Sequence, residues 1–166
     1  EGWRVLLLER GGDILSGASK ANSAILHTGF DAPEDSLELN CVRQGHADFL
    51  ALAGTMNLPI LRTGAMVVAW TEEQEEALPD ILATAGRNGV TDCRLMTRAE
   101  ILGREPNLSP LARAAVLVPR EFVIDPWSPF HAYARQILAA GGTILRDTEV
   151  TGGAFETLGV RPQLGR

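Results

Sequence analysis

The sequence predicts a mixed α/β fold, and three observations carry that expectation. Gly2-Trp3-Arg4-Val5-Leu6-Leu7-Leu8-Glu9-Arg10 is an aliphatic run closed by an acid, the pattern of a parallel strand that is hydrophobic on both faces. Helical and extended segments then follow in the order loop, helix, strand pair, helix, strand–helix–strand. Capping residues and glycines mark where the helices begin and end. This order suits a mononucleotide-binding part interrupted by another module.

The first strand leads into a loop of small and polar residues from Gly11 to Asp31. Asp35-Ser36 opens a helix that runs to about Met56, with Leu39, Val42, His46, Phe49, Leu50 and Ala53 on one face. Asn57 ends it, and Pro59 cannot continue it. Ile60–Arg62 and Ala65–Trp70 read as a strand pair broken at Thr63-Gly64. Thr71-Glu72-Glu73-Gln74 is a capping box, with acids favoured by the helix dipole. Pro79 either kinks that helix or splits it, and Asn88-Gly89 stops it.

Cys93–Met96 is the next strand, and Thr97-Arg98-Ala99-Glu100 is a second capping box. It opens a short helix that Pro106 ends. Ala114–Val118 and Phe122–Ile124 are extended. Asp125-Pro126 reads as an N-cap followed by an N1 proline, opening a helix to about Ala140 that Gly141-Gly142 stops. Thr143–Arg146, Glu149–Thr151 and Ala154–Thr157 are the last strands, and Gly159 to Arg166 reads as a tail. A parallel strand at the very start needs a neighbour, so the expectation is a fragment lacking its first strand and helix. An unpaired sheet edge would favour aggregation or a homodimer.

Composition narrows the function. A net charge of −6 and a pI near 5.1 argue against a nucleic-acid binder, which needs a basic face. Cys41 and Cys93 lie far apart and form no zinc pattern, so two buried thiols in a reducing, cytoplasmic setting are expected. Aliphatic runs fall well short of the roughly 20 residues of a membrane span. None of His27, His46 and His131 has metal-ligand spacing with another, so no metal site is expected. His46 and His131 read as structural.

Chemistry concentrates near the start. Glu9 ends a strand, where an acid either accepts hydrogen bonds from a ribose diol or simply caps the strand. Three of the six serines, Ser16, Ser19 and Ser23, fall in the following loop with Lys20, the chain's one lysine. Small residues let backbone amides approach a phosphate, although a polar loop without function has the same composition. His27 follows an apolar run and precedes Thr28-Gly29. It is either a satisfied turn residue or a general base whose ordinary titration range suits neutral pH.

The string VLLLER…DILSGASKANSAILHTGFD resembles the FAD-dependent oxidoreductases of the D-amino-acid-oxidase superfamily. The likeness is greatest to the branch of glycerol-3-phosphate dehydrogenases and L-2-hydroxyglutarate oxidases. Its Ser/Thr–x–x–Asn–Ser–x–x–x–His–x–Gly segment is matched by Ser19, Asn22, Ser23, His27 and Gly29, and pieces as far as residue 153 follow the family's order. The family often has glycine where this chain has Ala24. The resemblance implies a partial FAD-binding Rossmann-like domain over 1–57, an inserted antiparallel-sheet substrate domain over 58–120, and a return to the FAD domain over 121–158.

It also implies site roles. Glu9 would bind the adenosine ribose, with Arg10 beside it. Ser16, Ser19, Lys20, Asn22 and Ser23 would line the pyrophosphate and ribityl chain, and the Val150 backbone would touch the adenine. His27 would be the base for a small secondary alcohol, a phosphorylated polyol or hydroxy acid. Reoxidation by a quinone, with peripheral membrane contact, by another carrier or by oxygen would follow. Amine oxidation on the same fold and a non-catalytic truncated module are the competing readings.

Overall fold

A computed structural model describes residues 5–149 of the chain. They form two compact units, one of residues 5–23 with 126–149 and one of Ala24–Asp125. The sequence boundaries at 57 and 120 both fall inside the larger unit.

In the smaller unit, β1 (Leu6–Leu8) and β8 (Thr143–Leu145) pair in parallel, with Leu7 opposite Ile144. The parallel neighbour that the first strand requires is thus supplied from late in the chain. Leu7 and Leu8 are half-buried and Leu6 is exposed. The helix α4 (Ser128–Ala139) packs on β8. It begins later than Asp125 suggested: Trp127 is the N-cap, with no side-chain bond capping the first turn, and the proline in that turn is Pro129. Two prolines three residues apart both satisfy the first-turn rule, so the pattern alone chose the wrong one. Gly141 at φ +80 turns the chain out of the helix.

The larger unit holds two three-stranded antiparallel sheets. In the first, β7 (Phe122–Ile124) lies between β2 (Ile25–Leu26) and β3 (Ile60–Leu61). In the second, β6 (Ala114–Val118) lies between β4 (Ala65–Ala69) and β5 (Arg94–Thr97). The expected strand pair over 60–70 is therefore not a pair: β3 joins β7 and β4 joins β6. Gly64 at φ +68, against the carbonyl of Val118, redirects the chain from one sheet to the other.

β6 explains the core. Side chains alternate across a strand, so Val116 and Val118 face one way and Ala115 and Leu117 the other. Val116 and Val118 join Phe30, Leu78, Ala85 and Val90 in one cluster. Ala115 and Leu117 join Met96, Ile101 and Ala112 in another. A strand buried on both faces needs the unbroken apolar run it has. The helix α2 (Glu72–Arg87), capped by Thr71 and Gln74, supplies the first cluster. It continues through Pro79, so the proline does not split it. The helix α3 (Arg98–Arg104), capped by Thr97 and Glu100, supplies Ile101 to the second.

The helix α1 (Leu37–Met56) starts at the Ser36 cap, whose hydroxyl accepts the Leu39 N–H, and ends at Asn57 in the left-handed conformation. Cys93 is buried, but Cys41 is exposed, which corrects the expectation of two buried thiols. Cys41 lies off the apolar stripe of α1, so helical spacing puts it outside. No helix among the described residues is long and apolar enough to cross a membrane. The strand expected at Ala154–Thr157, most of that at Glu149–Thr151, and Val150 lie outside the described residues.

Candidate functional site

The chemistry-bearing residues fall into one group in each unit. In the smaller unit, Glu9 leaves β1 with its N–H on the Leu145 carbonyl and its carbonyl taking the Thr148 N–H. Its Oε1 accepts the Gly11 N–H at 2.6 Å. A Cβ on Gly11 would come within 2.5 Å of Ser16, so the chain needs glycine to fold this tightly around the carboxylate. The Ser16 hydroxyl is committed locally, donating to the Asp13 carbonyl at 2.7 Å.

Ala18–Lys20 forms one 3-10 turn, and every residue from Ser16 to Ser23 is exposed. Asn22 Nδ2 donates to the Ser19 carbonyl, and Trp127 Nε1 donates to that of Lys20, which ties the loop to the start of α4. Arg10 is exposed beside Glu9. A cavity of about 280 Å³ lies between β1, β8 and α4, lined by apolar residues such as Leu7, Ile14, Tyr133 and Ile144, with Glu9 as its acid.

In the larger unit the register of the first sheet builds the second group. β2 pairs with β7 so that Ile25 faces Val123 and Leu26 faces Phe122. One step further, the antiparallel register brings His27 opposite Glu121. His27 Nδ1 lies 2.9 Å from Glu121 Oε2, with the histidine side chain 49% exposed and the glutamate side chain 3%. The other carboxylate oxygen, Oε1, accepts the Thr28 N–H at 2.6 Å and the Thr28 hydroxyl at 2.7 Å. The buried carboxylate is therefore met by three donors, as a buried charge requires.

Both sides of this contact are held. Arg120 forms a two-pronged pair with Asp92, both bonds at 2.8 Å. Its guanidinium holds the Asp92 carboxyl below the usual carboxylate range. The Arg120 carbonyl accepts from His46 Nε2 at 3.0 Å, which gives buried His46 the structural role its helix spacing suggested. On the histidine side, Asn88 at the end of α2 donates through Nδ2 to the carbonyls of Gly29 and Ala32, both at 2.8 Å. Gly29 at φ +82 packs so closely on Leu39 that an added Cβ would lie 2.9 Å from its Cδ1. Just before β2, Ala24 takes φ +59, a conformation better suited to glycine.

Sequence reasoning missed Glu121. Its one local signal is a charged residue between the apolar runs Ala114–Val118 and Phe122–Ile124, and only the β2–β7 register shows what it faces. Among the described residues, no group of three or more His, Cys, Asp or Glu side chains could hold a metal ion.

The family model for DAO, FAD dependent oxidoreductase, matches residues 1–164. The chain belongs to that family. Glycerol 3-phosphate dehydrogenase of Caloramator mitchellensis is 28% identical to this DAO-family chain over 146 residues, 88% of this chain and 30% of that one. L-2-hydroxyglutarate dehydrogenase of Indibacter alkaliphilus is 28% identical over 142 residues, 85% of this chain and 35% of that one. The chain thus spans about a third of the length of these curated relatives.

Among solved structures, the FAD-bound L-alpha-glycerophosphate oxidase of Mycoplasma pneumoniae superposes with a TM-score of 0.78 at 24% identity, over 89% of this chain and 39% of that one. Glycine oxidase of Geobacillus kaustophilus also gives 0.78, at 25% identity, over 89% and 41%. The mixed α/β fold is that of FAD-binding DAO oxidases, and FAD is the family's cofactor. The residues present suit such a nucleotide by their chemistry. Glu9 offers a carboxylate acceptor at a strand end, and the exposed loop offers hydroxyls, amides and one ammonium.

Proposed function

We propose that the protein acts in the oxidation of a small secondary alcohol, glycerol 3-phosphate or a 2-hydroxy acid, with His27 as the base. The observation that carries this reading is a half-exposed imidazole on a fixed turn, anchored through one ring nitrogen and free of protein partners at the other among the described residues. An alcohol must lose its hydroxyl proton as its C–H hydrogen leaves, so a positioned base lowers the barrier. FAD, when bound, supplies the hydride acceptor.

In the same reading Glu9 takes the adenosine ribose hydroxyls, with Arg10 beside it. Ser16, Ser19, Lys20, Asn22 and Ser23 follow the pyrophosphate and ribityl chain. Ser16 would do so by exchanging a bond of its own turn, since its N–H and its hydroxyl both donate to the Asp13 carbonyl. Support comes from the donor chemistry and from relatives named for glycerol 3-phosphate and L-2-hydroxyglutarate.

Amine oxidation is the second reading, favoured by an equal TM-score to glycine oxidase. Anaerobic bleaching of the flavin by glycerol 3-phosphate, L-2-hydroxyglutarate and glycine separates the two. Reduction by one of the first two is expected, and reduction by glycine alone contradicts the proposal.

A further inference from the structure

We infer that Glu121 is a positioning residue that fixes the tautomer of His27, an inference that rests on the reading of His27 as the base. A carboxylate only accepts, so at 2.9 Å the hydrogen between Oε2 and Nδ1 belongs to the imidazole. Neutral His27 then carries its hydrogen on Nδ1 and keeps its lone pair on Nε2, the nitrogen with no protein partner among the described residues. That is the form a base needs. When a substrate O–H bond breaks, its proton joins Nε2 and the electron pair stays on the substrate oxygen. The imidazolium that results still donates Nδ1–H to Glu121, which remains a carboxylate throughout and faces the new positive charge.

The surroundings make this assignment firm. Oε1 is occupied by the Thr28 N–H and hydroxyl, so the carboxylate cannot turn to offer a different atom without losing two bonds. Thr28 is the next residue to His27, so one carboxylate grips both the backbone that carries the imidazole and the ring itself. The Arg120–Asp92 pair and His46 hold the turn bearing Glu121 from two further elements. Thr28 satisfies only Oε1, so the His27 ring completes the buried carboxylate at Oε2, and the same bond holds the half-exposed ring in one tautomer.

Glu121→Gln is the informative change because it keeps the shape and inverts one bond. Its amide oxygen can still accept from Thr28, while its NH2 faces Nδ1 and can only donate. His27 Nδ1 must then accept, and the hydrogen moves to Nε2. Long-range 1H–15N correlation spectra of 15N-labelled protein read the tautomer directly and do not require FAD, with His27→Ala assigning the signals. The expected result is Nδ1–H in the wild type, inversion to Nε2–H in Glu121→Gln, and retention of Nδ1–H in Glu121→Asp. Core amide shifts report whether each variant is folded.

In the FAD-loaded enzyme, Glu121→Gln is expected to slow flavin reduction by about 10²- to 10⁴-fold, the usual worth of a general base, with FAD still bound. Nε2–H in the wild type overturns the inference even if no variant folds, and so does an unchanged tautomer in folded Glu121→Gln. The two readings fail separately. If His27→Ala reduces its flavin normally, the base is lost but the tautomer result stands. If the tautomer is wrong while His27→Ala is dead, the base stands and Glu121's role is lost.

Discussion

Asn88 offers a sharp test of how the histidine turn is held. It is 1% exposed, and Nδ2 donates to the carbonyls of Gly29 and Ala32 at 2.8 Å and to that of Phe30 at 3.4 Å. Its Oδ1 is buried with no partner. The amide cannot be turned over, because Oδ1 would then face three carbonyl oxygens. In Asn88→Ala, the Ala32 carbonyl loses its strong bond, while that of Gly29 keeps the Ala32 N–H at 3.3 Å.

Stranding one to two buried acceptors costs about 2–4 kcal/mol. In a chain of 166 residues this lowers Tm by roughly 5–15 °C. Asn88→Asp keeps the volume but sets a second acceptor against the same carbonyls, so it is expected to be less stable than alanine. Urea unfolding of the three proteins gives the order directly. Aspartate as stable as the wild type would refute the donor role of Nδ2, and alanine within about 0.5 kcal/mol, the ordinary spread for surface changes, would refute the clamp.

The remaining expectations concern separate parts of the chain. Ala24→Gly relieves a left-handed alanine worth about 1–2 kcal/mol, less roughly 0.5–1 kcal/mol for glycine's freer unfolded chain, so the urea midpoint is expected to rise; a fall contradicts the strain at φ +59. Burial, then the nearby Asp92 charge, pushes the Cys93 thiol up. Native protein at pH 8 is therefore expected to react with iodoacetamide at exposed Cys41 and at Cys93 only on unfolding, and equal labelling contradicts it. The Thr97 N–H, then Arg94 and the Thr97 hydroxyl, hold the Glu100 carboxyl down at about 2. Because the folded value lies below the unfolded one of roughly 4.3, its contribution is present above pH ~4.3 and is lost as pH falls toward 2. The stability gap between wild type and Glu100→Gln is expected to close across that window.

Much of this fold is written locally. The caps at Ser36, Thr71 and Thr97, the left-handed stop at Asn57 and the run Ala114–Val118 each depend on neighbours within four residues, and each is legible in the chain. What depends on distant partners is not. Which sheets β3 and β4 enter is decided by pairing with β7 and β6, 45 or more residues away. Asp125 and Pro126 match a helix start that Pro129 matches equally well. His27 is legible because its motif is contiguous, whereas Glu121 becomes visible only through the register that sets it across from His27.

The role of His27 as the proton acceptor for an alcohol is tested most directly by anaerobic stopped-flow reduction of the FAD-loaded enzyme. With the alcohol that reduces the wild type, His27→Ala is expected to keep its bound flavin spectrum and to slow reduction by about 10²- to 10⁴-fold. Reduction at the wild-type rate, with FAD retained, would contradict the central claim.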